Sequence, residues 1–318
     1  MKVLFAGTPE IALPSLRAVA QAHEVTAVLT APDRPVGRGR RMQASPVAEC
    51  AVELGLKVLR FEKLNGSARE EIAQLGSEIL VCVAYGKIFG PKFLALFPRG
   101  GVNLHPSLLP KYRGPSPIAA ALLAGDSLTG VSIQRLALEM DAGDILARSE
   151  IPLDGTETAA SLTERAAKHG AELLVQTLNA IEAGNEQAEV QAHHQASYCG
   201  LVKKQDGLLN WDRSALELDR LVRAFSPWPG AFTIFDGKEL KLHETAIPTE
   251  LDQDVAMEST QAGKVLGVDN RHGILVQTGD GVLALRRLQL PGRKALDWAT
   301  FLNGTPNFLG SVLGGTIR

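Results

Sequence analysis

Through its first two hundred positions the chain alternates short aliphatic and β-branched runs with stretches whose apolar residues recur at helical spacing. The runs at 2–6, 25–30, 57–60, 79–84, 101–104 and 130–136 read as strands. The stretches at 11–22, 46–54, 68–74, 91–96 and 116–124 read as helices. Several of these helices open at or just after Pro or Ser, residues suited to a helix start because they lack an N–H or cap one. Strands alternating with helices predict βαβ units and an α/β, Rossmann-like, mainly parallel sheet. Right-handed crossovers would gather the carboxyl ends of such strands on one edge, where ligand sites form. A long helical pattern over 159–183 closes this half, and the periodicity breaks at Lys203-Lys204-Gln205-Asp206-Gly207. The expected division is a domain over 1–202, a linker over 203–210 and a second domain over 211–318. In the latter, one amphipathic helix at 216–225 precedes short runs at 232–235, 240–244, 263–268, 273–277 and 282–289, separated by Gly, Asp and Asn turns. That pattern predicts a smaller, OB-like antiparallel β-barrel.

Composition narrows the class. A chain of 318 residues exceeds what one core usually organises, and 45% hydrophobic with 21% charged residues is the make-up of a folded protein. The formal charge of −2 offers no generally basic surface, so any polyanion would have to meet a local patch. Cys50, Cys82 and Cys199 are odd in number and widely spaced, which suggests neither a disulfide framework nor a metal site, and a reducing cytosol is the expected setting. The apolar run at 3–6 is too short for a signal-peptide core or a membrane span, so the protein is expected to stay in the cytoplasm.

Two segments carry candidate chemistry. Asn103-Leu104-His105-Pro106-Ser107-Leu108-Leu109-Pro110 follows a predicted strand, and period-two alternation would project Asn103 and His105 from one face. Pro106 and Pro110 stiffen the exit, because each restricts its own φ and biases the preceding residue toward extended backbone. Downstream, Met140-Asp141-Ala142-Gly143-Asp144 places two carboxylates on a glycine-containing turn near a strand. Taken singly, Asn103 could end a strand, His105 cap a turn and the aspartates serve turn chemistry. A carboxylate beside an imidazole, however, orients it and raises its basicity, as acid–base chemistry requires.

The run 103–110 followed by Lys111-Tyr112-Arg113-Gly114, with 140–144 downstream, resembles the signature of the 10-formyltetrahydrofolate-dependent formyltransferases. Within that family, the opening Lys2-Val3-Leu4-Phe5-Ala6-Gly7-Thr8-Pro9-Glu10, the arginine-bearing insertion after Pro32-Asp33-Arg34-Pro35, and Arg223-Ala224-Phe225-Ser226-Pro227-Trp228-Pro229-Gly230 resemble the members acting on initiator methionyl-tRNA. The resemblance covers essentially the whole chain. It implies transfer of a formyl group from N10 of a folate to an α-amine, with Asn103 donating to the oxyanion, His105 acting as acid or base, and Asp141 orienting His105 or relaying protons through water. One such oxyanion donor typically contributes ~2.7–4 kcal/mol. The resemblance also implies a folate along Ser107, Leu108, Leu109 and Pro110, its pterin enclosed by Tyr85, Gly86 and Ile88 and the Asp141 loop. No metal is called for.

Arg34, Arg38, Arg40 and Arg41 fall within eight residues with no apolar periodicity, which reads as a basic loop able to meet phosphates. The resemblance implies that this insertion reaches the acceptor end of the tRNA. Lys203 and Lys204 are candidates for a second phosphate-binding surface, with Lys238, Lys241, Arg286, Arg287, Arg293 and Lys294 as further contributors. His193-His194 lacks further ligands and is expected to be exposed, whereas Trp211 and Trp228 are expected to pack. A monomer is expected. The alternatives are a formyltransferase for a small amine such as glycinamide ribonucleotide or an amino sugar nucleotide, a folate-binding hydrolase releasing formate, and a pure RNA-binding module. A dinucleotide-dependent oxidoreductase requires G-x-G-x-x-G at the first turn, where Ala6-Gly7-Thr8-Pro9-Glu10 has no such spacing.

Overall fold

The computed structural model of the protein describes residues 1–36, 41–248, 250 and 261–315. In chain order the first half forms β1 (Lys2–Gly7), α1 (Leu13–Ala22), β2 (Glu24–Thr30), a hairpin of β3 (Arg34–Val36) and β4 (Arg41–Gln43), α2 (Pro46–Glu53), β5 (Val58–Arg60), α3 (Gly66–Ala73) and β6 (Ile79–Val83). It continues with α4 (Pro91–Leu94), β7 (Gly101–His105), α5 (Pro117–Ala124), β8 (Leu128–Arg135), β9 (Ile145–Pro152) and α6 (Ala159–Ala183). Helix starts follow local chemistry: Ser45 and Asn65 accept hydrogen bonds from Ala48 and Ala68, capping α2 and α3.

The large sheet has the order β5-β2-β1-β6-β7-β8-β9. Its first five strands are parallel, while β8 and β9 add on antiparallel. This is the mostly parallel, Rossmann-like architecture that the alternation of runs predicts. Strand β9 is not among the predicted strands: it lies at the sheet edge, and Arg148, Ser149 and Glu150 interrupt its apolar pattern. Both faces of the sheet are covered. On one, Val3, Phe5, Val81, Val102, Leu104 and Ile133 pack with Leu174, Leu178 and Ile181 of α6. On the other, Leu4, Ala6, Leu80 and Cys82 pack with Tyr85, Phe89, Phe93 and Phe97. Each fully buried aliphatic side chain contributes on the order of 1.5–3 kcal/mol.

The alternation within β7 therefore has a definite sense. Val102 and Leu104 belong to the face covered by α6, which leaves Asn103 and His105 for the opposite face. Gly170 in α6 permits this packing, because a Cβ there would overlap the Leu104 side chain.

The chain separates into two compact units. One comprises Ser127–Leu153, Leu162–Gly200 and the residues up to Pro117; the other comprises Ile118–Asp126, Asp154–Ser161 and the residues from Leu201 onward. In the second unit, α7 (Ala215–Ala224) starts from a reciprocal capping box between Ser214 and Glu217. Strands β10 (Ala231–Phe235), β11 (Lys238–Ala246), β12 (Val265–Asp269), β13 (Gly273–Gln277), β14 (Val282–Gln289) and β15 (Leu296–Asp297) follow, then α8 (Trp298–Asn303). They form an antiparallel sheet of order β10-β11-β14-β13-β12 with β15 on β14. Asp236-Gly237, at φ 49° and 71°, makes the tight turn between β10 and β11, a conformation that suits Asp and Gly. Trp211 packs as expected, its Nε1 donating to Thr233 Oγ1 at 2.9 Å. Trp228 departs from expectation: it is 63% exposed, while Phe225 and Phe232 on either side of its turn take the buried positions.

Candidate active site

In a row across three adjacent strands, Cys82 of β6 is paired with Asn103 of β7, and Asn103 with Gln134 of β8. Paired residues point to the same side of a sheet, so these three side chains form a polar strip on an otherwise apolar face. The loop between β8 and β9 folds back over this strip. Asp141, in the left-handed region at φ 54°, lays its carboxylate on it. Its Oδ1 accepts from Gln134 Nε2 at 2.9 Å and Asn103 Nδ2 at 3.3 Å, and its Oδ2 accepts from the Gly114 backbone N–H at 2.9 Å. Gly143 is required for the fold-back, since a Cβ there would overlap the Arg135 carbonyl.

His105 lies two residues beyond Asn103 and is buried. Its Nε2 is 2.9 Å from the Tyr112 carbonyl, which can only accept, so Nε2 carries the proton of the neutral ring. Nδ1 is then left with a lone pair and faces Asp141 Oδ1 at 3.6 Å. Burial holds the imidazole below its ordinary pKa, an effect that the Asp141 charge and the Tyr112 carbonyl partly offset. The ring is thus a neutral base whose proton affinity depends on the neighbouring carboxylate. Tyr112 is itself left-handed at φ 57°, as is Ala84 at φ 50°. Two of the four described non-glycine residues with such backbone, Tyr112 and Asp141, therefore face His105, each at a cost of order 1–3 kcal/mol that the surroundings must sustain.

A buried polar frame supports the arrangement from behind. Gln191, 2% exposed, donates from Nε2 to the carbonyls of Asp141 (2.9 Å) and Gly143 (2.6 Å). Its Oε1 accepts from Arg113 Nε at 3.1 Å and Nη2 at 2.8 Å. Residues 112–114 thus serve three contacts in succession: the Tyr112 carbonyl for His105, the Arg113 guanidinium for Gln191, and the Gly114 N–H for Asp141. Gln134, Gln191, Arg113 and Gly114 carry no role in the sequence reading. For Gln134 a signal existed, a polar residue among the apolar positions of the predicted strand at 130–136.

Asn103 and Asp141 line a cavity of about 320 Å³, with Gly86, Ile88, Phe89, Leu94, Leu136 and Met140 among its walls. His105 is not in that lining and is separated from direct exposure there. The chemistry of the walls, apolar sides with a few convergent polar groups, fits a flat heteroaromatic ring. Burial pushes the Cys82 thiol up to about 12, so at this cavity wall it is a neutral thiol. A second cavity, of about 540 Å³, lies beside the first: Gly86 and Lys87 line both, and Tyr85, Arg34, Ser45 and Thr8 line the second.

The structure brings Asn103, His105 and Asp141 together, and Gly86 and Ile88 to the same cavity. Tyr85 is buried and stacked on Phe89, with centroids 5.4 Å apart. Ser107, Leu108, Leu109 and Pro110 line neither cavity; Ser107 and Leu109 are buried. Their polar groups are engaged internally, Ser132 Oγ bridging the Ser107 carbonyl (2.7 Å) and the Leu109 N–H (3.1 Å). Arg34 is exposed on β3, Arg41 contributes to β4, and Arg38 and Arg40 lie outside the described residues. Lys203 and Lys204 are exposed, Lys204 pairing with Glu239 at 3.3 Å. Among the described residues no three His, Cys, Asp or Glu side chains gather as a metal-binding set, and no helix is long and apolar enough to cross a membrane.

Comparison with known proteins agrees with this geometry. The model of the Formyl transferase family matches residues 1–178, and that of the Formyl transferase C-terminal domain matches residues 201–306. The chain is 45% identical over 320 residues to the methionyl-tRNA formyltransferase of Treponema denticola, spanning 97% of this chain and 98% of the relative. Among solved structures, an N-formyltransferase from Helicobacter canadensis, in complex with folinic acid and dTDP-3-aminofucose, superposes with a TM-score of 0.65 at 19% identity, covering 90% of this chain and 99% of that one. HypX from Aquifex aeolicus in complex with tetrahydrofolic acid gives a TM-score of 0.62 at 18% identity, and this chain spans about half of its length, 100% of this chain against 49% of that one. The two structures share the fold, and the family models with the Treponema relative carry the assignment along both parts of the sequence: the chain belongs to the formyl transferase family.

Proposed function

We propose that the protein transfers the formyl group of 10-formyltetrahydrofolate to the α-amino group of initiator methionyl-tRNA. The observation that carries this is the Asp141 carboxylate, held at the wall of a ring-sized cavity by Asn103, Gln134 and Gly114 with the neutral His105 imidazole behind it. The folate supplies a formyl group activated on N10. Asn103 spends one amide N–H on Asp141 and keeps the other for negative charge developing on the formyl oxygen. Asp141 stands between the cavity and His105, so a proton leaving the attacking amine reaches His105 Nδ1 through that carboxylate or a water beside it, and returns by the same route to N10 as the bond from N10 to the formyl carbon breaks and tetrahydrofolate leaves. The apolar walls exclude bulk water, which favours transfer to an amine over hydrolysis. In this reading Gly86 and Ile88 touch the folate ring directly, while Tyr85 and the segment Ser107, Leu108, Leu109 and Pro110 form the frame behind it.

The tRNA is assigned to the surface carrying Arg34, Arg38, Arg40 and Arg41, with Lys203 and Lys204 as a second set of phosphate contacts. The reading treats residues 1–202 as the catalytic domain, 203–210 as a linker and 211–318 as a tRNA-binding domain, in a monomeric protein acting in the cytoplasm. The test is transfer of labelled formyl from 10-formyltetrahydrofolate to initiator methionyl-tRNA, compared with elongator methionyl-tRNA, glycinamide ribonucleotide and water. Initiator-selective labelling that His105→Ala abolishes is the expected result. Transfer only to the small amine, or only to water, would keep the centre and overturn the tRNA assignment.

A further inference from the structure

The hydrogen bonds that reach Asp141 from behind run in one direction only. The Arg113 guanidinium can only donate, and the ionised Asp141 carboxylate can only accept. Between these ends lie two amides, Gln191 and Gln134, each 2% exposed. Arg113 Nε and Nη2 converge on one atom of Gln191, which is therefore its oxygen Oε1, at 3.1 and 2.8 Å. Gln191 Nε2 then meets acceptors alone: the carbonyls of Gly143 (2.6 Å) and Asp141 (2.9 Å) and, more distantly, Gln134 Oε1 (3.3 Å). That leaves Gln134 Nε2 to donate to Asp141 Oδ1 at 2.9 Å. A reversed Gln134 amide would set oxygen against carboxylate and nitrogen against nitrogen, so its orientation is fixed by its partners.

This orientation is felt at one atom. Three side chains meet Asp141 Oδ1: Gln134 Nε2 at 2.9 Å, Asn103 Nδ2 at 3.3 Å and His105 Nδ1 at 3.6 Å. Only Gln134 holds a contact of ordinary hydrogen-bond length. Gln134 is paired with Asn103 across β7 and β8 and shares the cavity wall with it, yet its amide has no proton to exchange near neutral pH.

We propose that Gln134 is a positioning residue: by occupying Asp141 Oδ1 it keeps the carboxylate from pairing directly with His105 and leaves the Asn103 amide free for the formyl oxygen. The inference rests on the reading of Asn103, His105 and Asp141 as the centre of formyl transfer. Without the Gln134 donor, the charge on Oδ1 is less offset and turns toward His105 and Asn103. His105 then holds a proton more tightly, and Asn103 is drawn away from the reacting atom. The other titratable groups near this point do not share the change. Burial raises the Cys82 and Cys199 thiols, which stay uncharged, and Arg113, paired with Glu139 at 3.7 Å, is linked to Asp141 through Gln191.

The experiment is a nitrogen-15 magnetic resonance titration of the histidine rings in the full chain, together with formyl transfer to methionyl-tRNA. His105 is assigned by the signals missing from His105→Ala. Gln134→Met keeps the side-chain length and orphans no partner, since Gln191 Nε2 retains two carbonyls and Asp141 Oδ1 retains Asn103. Expected is an upward move of the His105 midpoint by about one pH unit, roughly a tenfold gain in proton affinity. In the same variant kcat should fall about tenfold, less than the roughly 10²–10³-fold that loss of an oxyanion donor gives, with the KM for folate changed by less than about threefold. Gln134→Asn, one methylene shorter, withdraws the amide from Oδ1 and should move the midpoint the same way by a smaller amount. A merely structural role has the opposite signature: a loosened loop carries Asp141 away from His105, and the midpoint falls, as it should in Asp141→Asn. A midpoint that falls or stays in place in both Gln134 variants overturns the inference, whatever happens to kcat. Transfer that survives His105→Ala overturns instead the reading of the centre on which the inference rests.

Discussion

Replacing Asn103 by Ala separates two roles that its amide could play. The side chain makes one hydrogen bond, to Asp141 Oδ1 at 3.3 Å, and otherwise faces the cavity. Asp141 does not depend on it: Gln134 still holds Oδ1 at 2.9 Å, Gly114 holds Oδ2 at 2.9 Å, and Gln191 holds the loop through two carbonyls. Losing a long neutral-to-charged contact at a cavity wall should cost about 0.5–1.5 kcal/mol of stability, with Tm lowered on the order of 2–4 °C per kcal/mol. Losing a donor aimed at the reacting oxygen should instead cost ~2.7–4 kcal/mol in the transition state, a fall in kcat of roughly 10²–10³-fold. The assay is single-turnover formyl transfer with saturating folate and methionyl-tRNA, alongside thermal denaturation. A kcat within about threefold of the wild type, or a higher KM with kcat unchanged, would show that Asn103 contributes only to binding and refute the oxyanion role.

Asp141→Asn removes the charge that supports protonation of His105, so the imidazole pKa, already held down by burial, falls further. The acid limb of kcat/KM should therefore move to lower pH while the plateau drops; a limb that moves upward contradicts the assignment of His105 as the base. Gly143→Ala forces a Cβ into the Arg135 carbonyl and must shift the loop that aims Asp141. Misplacement by about 1 Å predicts a loss of kcat on the order of 10²-fold, and wild-type turnover in this variant would show that the loop position is not critical. His23 is buried, with neither ring nitrogen hydrogen-bonded, and burial and the N-terminal amine hold its pKa down against the pull of Glu182. A depressed histidine lets the unfolded chain take up its proton first, so stability is full above about pH 6.5 and declines as pH falls toward the folded-state value. His23→Leu should flatten the fall of Tm with acidification below that pH, and an unchanged slope would assign the effect elsewhere.

The order of strands and helices in the first half was legible because it rests on local properties: runs of aliphatic residues, helical spacing and helix starts at Pro or Ser. The pairing of Asn103 and His105 on one face was legible for the same reason, since period two follows from backbone geometry alone. Strand β9 escaped because an edge strand need bury only part of its surface, and Arg148 and Glu150 are compatible with that position. The motif residues identified the family and the catalytic candidates, but not how they are held. That Asp141 folds back onto Asn103 and Gln134, that Gln191 braces it from 50 positions along the chain and is itself held by Arg113 from 78 positions away, and that Ser107 and Leu109 are buried with their polar groups tied to Ser132 are matters of tertiary structure alone. So is the exposure of Trp228. Composition and spacing describe what each segment does by itself; a hydrogen bond between distant segments depends on which faces pack together and on left-handed turns such as those at Tyr112 and Asp141, which no local pattern in this sequence marks.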